Sequence, residues 1–155
     1  MITIGHWNVR PLFAPGKLEE LVNEIKHYRW AILGLSEVRW TSIGELKTTG
    51  DHKLNYSGHE RLHIRAVGFA VNKDYTKSVI ECRSLSDRKI TLRLKASPKN
   101  LTKMQVHVPT ADKDEEEIEF FSNQLHDTIN AVPKKGILVI QGGFNAKIGL
   151  DIHED

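Results

Sequence analysis

The sequence contains a single cysteine, Cys82. One cysteine excludes an intramolecular disulfide and any zinc site built from several cysteines. A chain without disulfides suits a reducing compartment, so we expect an intracellular protein. No apolar run approaches the roughly 18 residues of a membrane span. Residues 1–7 have neither a basic segment nor a long apolar core, so we also expect no signal peptide.

The sequence also lacks a strong excess of charge of either sign, with 22 Lys and Arg against 20 Asp and Glu, a net charge of +2. This balance argues against binding nucleic acid through a broad basic surface, but it allows a local basic groove or a nuclease. Hydrophobic residues make up 39% and charged residues 27%, as in ordinary folded globular proteins. No internal repeat or linker is visible, and 155 residues predict one domain.

Two amphipathic helices are predicted from the spacing of apolar residues. Over residues 17–28, apolar side chains recur at helical spacing and form one face: Leu18, Leu21, Val22, Ile25 and Tyr28. The second helix, residues 114–131, opens on an acidic run that suits the positive end of the helix dipole. Its apolar stripe is expected to be buried: Ile118, Phe121, Leu125, Ile129 and Val132.

Strands alternate with these helices and predict a mixed α/β layered fold. They are expected at residues 2–9, 31–35, 53–56, 67–71, 78–82, 89–96, 102–108 and 136–140. The apolar runs at 31–35 and 136–140 predict strands covered on both faces. Residues 89–96 alternate apolar and polar side chains, which predicts a half-exposed strand. Polar side chains follow three apolar strands, at Asn8, Glu37 and Asn145, and such strand ends are where α/β sheets tend to contact ligands.

Four short motifs lie at the ends of strands: WNVR at residues 7–10, LSEVRW at 35–40, VPT at 108–110 and QGGFN at 141–145. In this order they resemble the endonuclease/exonuclease/phosphatase superfamily, and the sequence at 16–21 and 86–88 is similar to a retrotransposon-derived branch of it. The resemblance implies a layered α/β sandwich of that type. Residues 1–155 would form a single domain truncated at its C-terminus.

The function implied by the resemblance is hydrolysis of phosphodiester bonds in DNA with Mg²⁺ or Mn²⁺. The partner would be DNA, with no membrane and no small-molecule cofactor, and the location would be nuclear if the protein acts on DNA. A hard cation such as Mg²⁺ prefers carboxylate oxygens, and it stabilises the charge that develops on a phosphoryl oxygen.

The same resemblance assigns roles to individual residues. Glu37 matches the carboxylate that binds the metal, and Asn8 matches the asparagine that helps to arrange the metal and the phosphate. Asn145 matches the amide that contacts the phosphate or the attacking water. For both asparagines the alternative is a turn-forming role, and for Glu37 it is a solvated glutamate at a strand end.

Three further residues are candidates for contacts to the substrate. Arg10 and Arg39 flank the motifs and are placed to meet phosphates, with ordinary surface charge as the alternative. His107 occupies the position where the family usually has a tyrosine; its imidazole could donate to phosphate, with a surface residue at a strand end as the equal alternative.

The sequence departs from the family pattern in ways that predict weak or absent nuclease activity. Gly143 stands where the family has the aspartate that orients or activates the water, and losing such a general base costs about 10²- to 10⁴-fold in rate. The family's Ser-Asp-His motif is absent from residues 1–155. The alternatives are a non-catalytic remnant that binds nucleic acid or protein, and a fragment that folds poorly because its sheet lacks partner strands.

A rival motif is present at residues 59–63, where His-Glu-Arg-Leu-His matches the zinc-protease pattern HExxH. That chemistry requires both histidines on one face of a helix. Gly58 precedes the motif and no apolar helical stripe surrounds it, so a polar loop is favoured. The tryptophans are expected in or beside the core rather than as platforms for stacking bases: Trp7, Trp30 and Trp40.

Overall fold

Two β-sheets pack face to face, and one helix covers the outer face of each sheet. The computed structural model describes residues 4–8, 16–97, 99–107, 114–132 and 136–142, with the backbone alone described at 6–8. The order from one side to the other is helix, sheet, sheet, helix, a layered α/β sandwich.

The first sheet has five strands in the order β1-β2-β5-β4-β3. Their bounds are β1 Ile4–Asn8, β2 Ile32–Ser36, β3 Ile43–Lys47, β4 Lys53–Ser57 and β5 Val67–Val71. Strands β1 and β2 are parallel, and helix α1, Lys17–Ile25, connects them. The other pairs are antiparallel.

The second sheet has four strands in the order β6-β7-β8-β9. Their bounds are β6 Val79–Ser86, β7 Lys89–Leu94, β8 Leu101–Val106 and β9 Ile137–Gly142. Strands β8 and β9 are parallel and are joined through helix α2, Glu115–Ala131. Each sheet therefore combines one parallel pair, bridged by a helix, with antiparallel neighbours.

Apolar side chains from both sheets fill the space between them. Ile32 and Phe69 from the first sheet and Ile90 and Leu92 from the second belong to one cluster, and all four are 0% exposed. Burying a side chain of this size contributes about 1.5 to 3 kcal/mol. This inter-sheet core fixes how the two sheets sit on each other.

Helix α2 docks on the outer face of the second sheet. Asp114 caps it, because the Asp114 carboxylate accepts the Glu117 N–H at 2.7 Å. Phe121 packs in a cluster with Met104 and Ile140 of the sheet beneath. Lys89 adds a polar contact, since its Nζ donates to the Phe121 carbonyl at 2.9 Å.

The structure corrects three expectations. Helix α1 ends at Ile25, and the Tyr28 side chain is 63% exposed rather than part of the apolar face. Residues 43–47 form strand β3, where no strand was predicted, because this edge strand leaves Ile43 exposed and so lacks a buried apolar run. The strand at 89–96 is not half-exposed, since α2 covers its outer face and buries Thr91 and Lys89.

Within the described residues, no helix is long and apolar enough to cross a membrane.

Replacing Phe121 by Ala removes the best-buried side chain of α2, which is 5% exposed. We expect a loss of about 3 to 5 kcal/mol in the free energy of unfolding, measured by urea denaturation. The matched control is Phe120→Ala, because the neighbouring Phe120 side chain is 68% exposed and should change stability by less than about 0.5 kcal/mol. Equal losses in the two variants would contradict this packing of α2.

Candidate functional site

The strand register brings the predicted site positions to one end of the sandwich. In the first sheet Asn8 pairs with Ser36, so β1 and β2 end side by side. In the second sheet Val106 pairs with Gly142, so β8 and β9 also end side by side. The two ends coincide, because the Ser57 hydroxyl at the end of β4 donates to the Ser86 carbonyl at the end of β6, at 2.5 Å.

Glu37 lies directly after β2 in a constrained backbone conformation. Its φ is 56° and that of Arg39 is 60°, in the left-handed region that non-glycine residues rarely adopt. Residues 65–66 hold this loop, since the Val38 N–H donates to the Ala66 carbonyl at 3.2 Å and the Arg39 N–H to the Arg65 carbonyl at 2.9 Å. Such strain costs about 1 to 3 kcal/mol per residue and clusters at functional sites.

His107 follows β8 directly and comes from the opposite sheet. Its N–H donates to the Arg88 carbonyl at 2.7 Å, and its own carbonyl accepts from the Arg88 guanidinium at 3.3 Å. Burial lowers the pKa of His107, and the charges of Arg88 and Arg65 lower it further. The Glu37 carboxylate acts in the other direction and raises this pKa, so Glu37 and His107 lie within electrostatic reach of each other.

Two ion pairs flank these residues. Arg65 donates to Asp87 at 2.7 Å, with exposed side-chain fractions of 25% and 18%. Arg88 donates to Glu117 at 2.8 Å and so ties the second sheet to α2. Neither pair was predicted from the sequence. The only available signal was the Ser-Asp-Arg run at 86–88, which does not reveal its partners.

The structure therefore places Glu37, Arg39 and His107 at the end where β1 and β9 also terminate. Two polar atoms at this end, Arg39 Nε and His107 Nδ1, are buried and have no hydrogen-bond partner within the described part of the chain. Asn8 is the last residue of β1, and its side chain lies outside the description. Arg10, Gly143 and Asn145 lie outside the described residues, and Asn145 comes three positions after the end of β9.

Residues 59–63 form a loop rather than the helix that a zinc protease requires. The Nδ1 atom of His59 accepts the N–H groups of Arg61 and Leu62, both at 3.1 Å, so this imidazole stabilises a turn. The His63 Nδ1 lies 2.9 Å from the Arg39 carbonyl. Across the described ranges, no group of three His, Cys, Asp or Glu side chains could hold a metal ion.

A polar layer lies between the sheets, and the sequence analysis missed it. Lys103 of β8 is 0% exposed, and its Nζ donates to the Gly5 carbonyl of β1 at 2.8 Å. Gly34 makes room for it, because a Cβ there would lie 2.8 Å from Lys103 Nζ and would collide with the Gln105 amide. Burial lowers the pKa of Lys103 to about 7. The available signal was the position of Lys103 in a predicted strand, which does not reveal that its side chain faces the other sheet.

Comparison with solved structures defines the class of fold. The structure of D. rerio TDP2 complexed with single strand DNA product matches with a TM-score of 0.67 and 14% identity, covering 95% of this chain and 62% of that chain. The 3′ phosphatase NExo from Neisseria, bound to a product DNA hairpin, matches with a TM-score of 0.64 and 16% identity, covering 94% and 58%. The chain thus has the layered α/β sandwich fold of the endonuclease/exonuclease/phosphatase type, and the fold implied by the four motifs is confirmed.

The sequence itself is similar to craniofacial development protein 2. It is 39% identical to the protein of that name from Bos taurus over 146 residues, which are 94% of this chain and 24% of the relative. The chain thus spans about a quarter of the length of this curated relative. No protein-family model matches the sequence.

Replacing Lys103 by Met should change how stability depends on pH. The pKa of Lys103 falls from 10.5 to about 7 on folding, so the unfolded chain binds more protons between those values and stability rises with pH across that window. Lys103→Met removes this dependence on pH. The free energy of unfolding of the variant should exceed that of the wild type by the largest amount below about pH 7. That difference should narrow by about 2 to 3 kcal/mol between about pH 7 and pH 9.

The measurement is urea denaturation across that pH range. Lys95→Met is the control, because the Lys95 side chain is exposed. If the difference in the free energy of unfolding between Lys103→Met and the wild type stays constant with pH, the prediction that the buried Lys103 amine titrates in this range is contradicted.

Proposed function

We propose that this end of the sandwich is a Mg²⁺-dependent site that hydrolyses phosphodiester bonds in DNA, and that Gly143 weakens it. The supporting observation is the convergence of Glu37 and His107. They follow strands of different sheets, yet the charge of Glu37 reaches the His107 imidazole. Residues that are distant in sequence and carry complementary chemistry follow strands that end on the same side of the sandwich, and strand ends are where α/β folds usually bind ligands.

The donor set suits Mg²⁺ better than zinc. The described carboxylates at this end are those of Glu37, Asp87 and Glu117; Asp87 and Glu117 are in ion pairs with Arg65 and Arg88, and the described residues contain no cluster of three ligating side chains. Mg²⁺ is usually bound through one or two carboxylates, with waters and substrate phosphates completing its shell. We propose Glu37 as the ligand, with Asn8 helping to arrange it; Mn²⁺ satisfies the same donors. A bound ion would supply Lewis-acid stabilisation of the phosphoryl oxygens.

The remaining candidate residues would hold the phosphate. Burial lowers the pKa of His107, which favours the neutral imidazole, a form that can donate a hydrogen bond without carrying charge. Arg39 Nε is buried and has no hydrogen-bond partner in the described ranges, and we assign the Arg39 guanidinium to a phosphate oxygen from its position beside Glu37. We assign Arg10 and Asn145 to the same phosphate from their motif positions.

DNA is the substrate class that the comparisons favour. The TDP2 structure contains a single strand DNA product and the NExo structure a product DNA hairpin. At identities of 14% and 16%, these matches support the fold alone. The proposal that this chain acts on DNA rests on its motif residues as well. A DNA substrate in turn favours a nuclear location.

A second candidate function is binding of nucleic acid without turnover, as in a remnant of a retrotransposon endonuclease. Gly143 favours it, because glycine supplies neither a proton acceptor nor a negative charge where the family has aspartate. This alternative predicts DNA binding that weakens with salt and no cleavage at any metal concentration.

Replacing Glu37 by Gln should abolish the nicking of supercoiled plasmid in Mg²⁺. We expect a loss of at least about 100-fold, since metal stabilisation of the transition state is worth several kcal/mol. The matched control is Glu45→Gln, which breaks the exposed Lys53–Glu45 ion pair of 3.0 Å on β3 and β4. Activity that is equal in Glu37→Gln and wild type would contradict the proposed site, and DNA binding with no nicking in the wild type would favour the second candidate.

Replacing Gly143 by Asp should restore the missing acceptor. We expect nicking to rise by about 10²-fold or more, the lower end of the range for general-base catalysis. Gly142→Asp is the control, because it adds the same charge one position earlier, where β9 still pairs with Val106. An equal rise in both variants would show a general charge effect and would contradict a specific role for position 143.

A further inference from the structure

The Arg65–Asp87 ion pair links the two halves of the candidate site. Arg65 lies just before β5 of the first sheet, and Asp87 lies in the turn between β6 and β7 of the second. Among the described residues, this is the ion pair that joins the two sheets. Its Arg65 Nε to Asp87 Oδ2 distance is 2.7 Å, and both side chains are mostly shielded from solvent.

On the side of the first sheet, the pair reaches the Glu37 loop through the backbone. The Arg65 carbonyl accepts the Arg39 N–H at 2.9 Å, and the next carbonyl, of Ala66, accepts the Val38 N–H at 3.2 Å. Arg65 and Ala66 both have positive φ, 31° and 62°, as do Glu37 and Arg39. The segments 37–39 and 65–66, which contain these left-handed residues, are therefore hydrogen-bonded to each other. The Arg65 side chain connects the second of them to the other sheet.

On the side of the second sheet, the pair reaches His107 through the residue next to Asp87. The Arg88 carbonyl accepts the His107 N–H at 2.7 Å, and the Arg88 guanidinium donates to the His107 carbonyl at 3.3 Å. The same guanidinium is fixed by Glu117 at 2.8 Å. Movement of the 86–88 turn would therefore be transmitted to His107.

We propose that Arg65 and Asp87 are positioning residues, which hold the Glu37 loop of one sheet in register with His107 of the other. The inference rests on the proposed function, because its purpose is the geometry of that site. Neither side chain needs to touch the substrate. The pair acts by limiting how far the two sheets can open at this end.

A pair that merely adds stability would affect the whole fold, whereas a positioning pair acts locally. Amide hydrogen exchange, measured by NMR on the full chain, separates the two. In Asp87→Asn we expect the Arg39 and His107 amides to exchange at least about tenfold faster, because their acceptors sit on the released segments. The amides of Thr48 and Asn72, bonded to His52 and Ala31, should keep their wild-type rates.

Two variants serve as controls. Glu45→Gln removes the exposed Lys53–Glu45 pair and should leave the exchange of Arg39 and His107 unchanged. Asp87→Glu keeps the charge and should recover most of the wild-type protection. Unchanged exchange at Arg39 and His107 in Asp87→Asn, or an equal acceleration at Thr48 and Asn72, would overturn the proposal.

Kinetics provide the second readout. In the Mg²⁺ nicking assay, Asp87→Asn should lower kcat by about tenfold while KM stays within about twofold, as expected when geometry rather than affinity is lost. Asp87→Glu should restore most of kcat. A kcat equal to that of the wild type would overturn the positioning role. A wild-type chain without nicking activity would contradict the proposed function alone, and the exchange measurement would still decide whether the pair couples the loop to His107.

Discussion

The face-to-face packing of the two sheets is the constraint on which the candidate site depends. Ile32 and Phe69 interlock with Ile90 and Leu92 without access to water. Protein interiors are packed as densely as organic crystals, so a core of this kind resists sliding of one sheet over the other. The residues at its end inherit that rigidity. Glu37 and His107 follow strands of different sheets, so their relative position depends on how the core packs the two sheets together as well as on their own loops.

The inter-sheet core is also where the molecule departs most from a simple apolar design. Lys103 carries an amine into it, with the Gly5 carbonyl as its acceptor and Gly34 leaving the space for both. An isolated buried charge is costly, and the lowered pKa shows the usual response, a shift toward the neutral form. Sequences that break a local rule of this kind often do so near functional sites. The hydrogen bond from Lys103 to Gly5 connects β8 to β1. His107 directly follows β8, and Asn8 is the last residue of β1.

Much of the fold could be predicted from sequence because its signals are local. The continuous apolar run of β2 and the capped, amphipathic α2 are examples, and strand β5 was placed with its observed bounds. Strand β3 was missed because an edge strand has few buried side chains to create a pattern. Helix α1 was overextended because Tyr28 continues the helical spacing, although its side chain is 63% exposed.

The candidate site divides in the same way. Glu37 could be proposed because it follows a buried strand within a recognisable motif. The Arg65–Asp87 pair could not, because its members are 22 residues apart and meet only when two different sheets pack together. Lys103 was hidden for a related reason. A lysine is normally exposed, and only the three-dimensional register places this one between the sheets.

In the proposed function, the residues assigned to phosphate have backbone contacts of their own, apart from the position assigned to the activation of water. The Glu37 loop is held by residues 65–66, and His107 is held by Arg88. These contacts join described residues, and the proposed function assigns the missing proton acceptor to position 143, which lies outside the described residues. A site of this construction can lose most of its rate and keep its shape. Under the proposed function, the hydrolase and the non-catalytic binder share this geometry, and the residue at position 143 is one chemical difference between them.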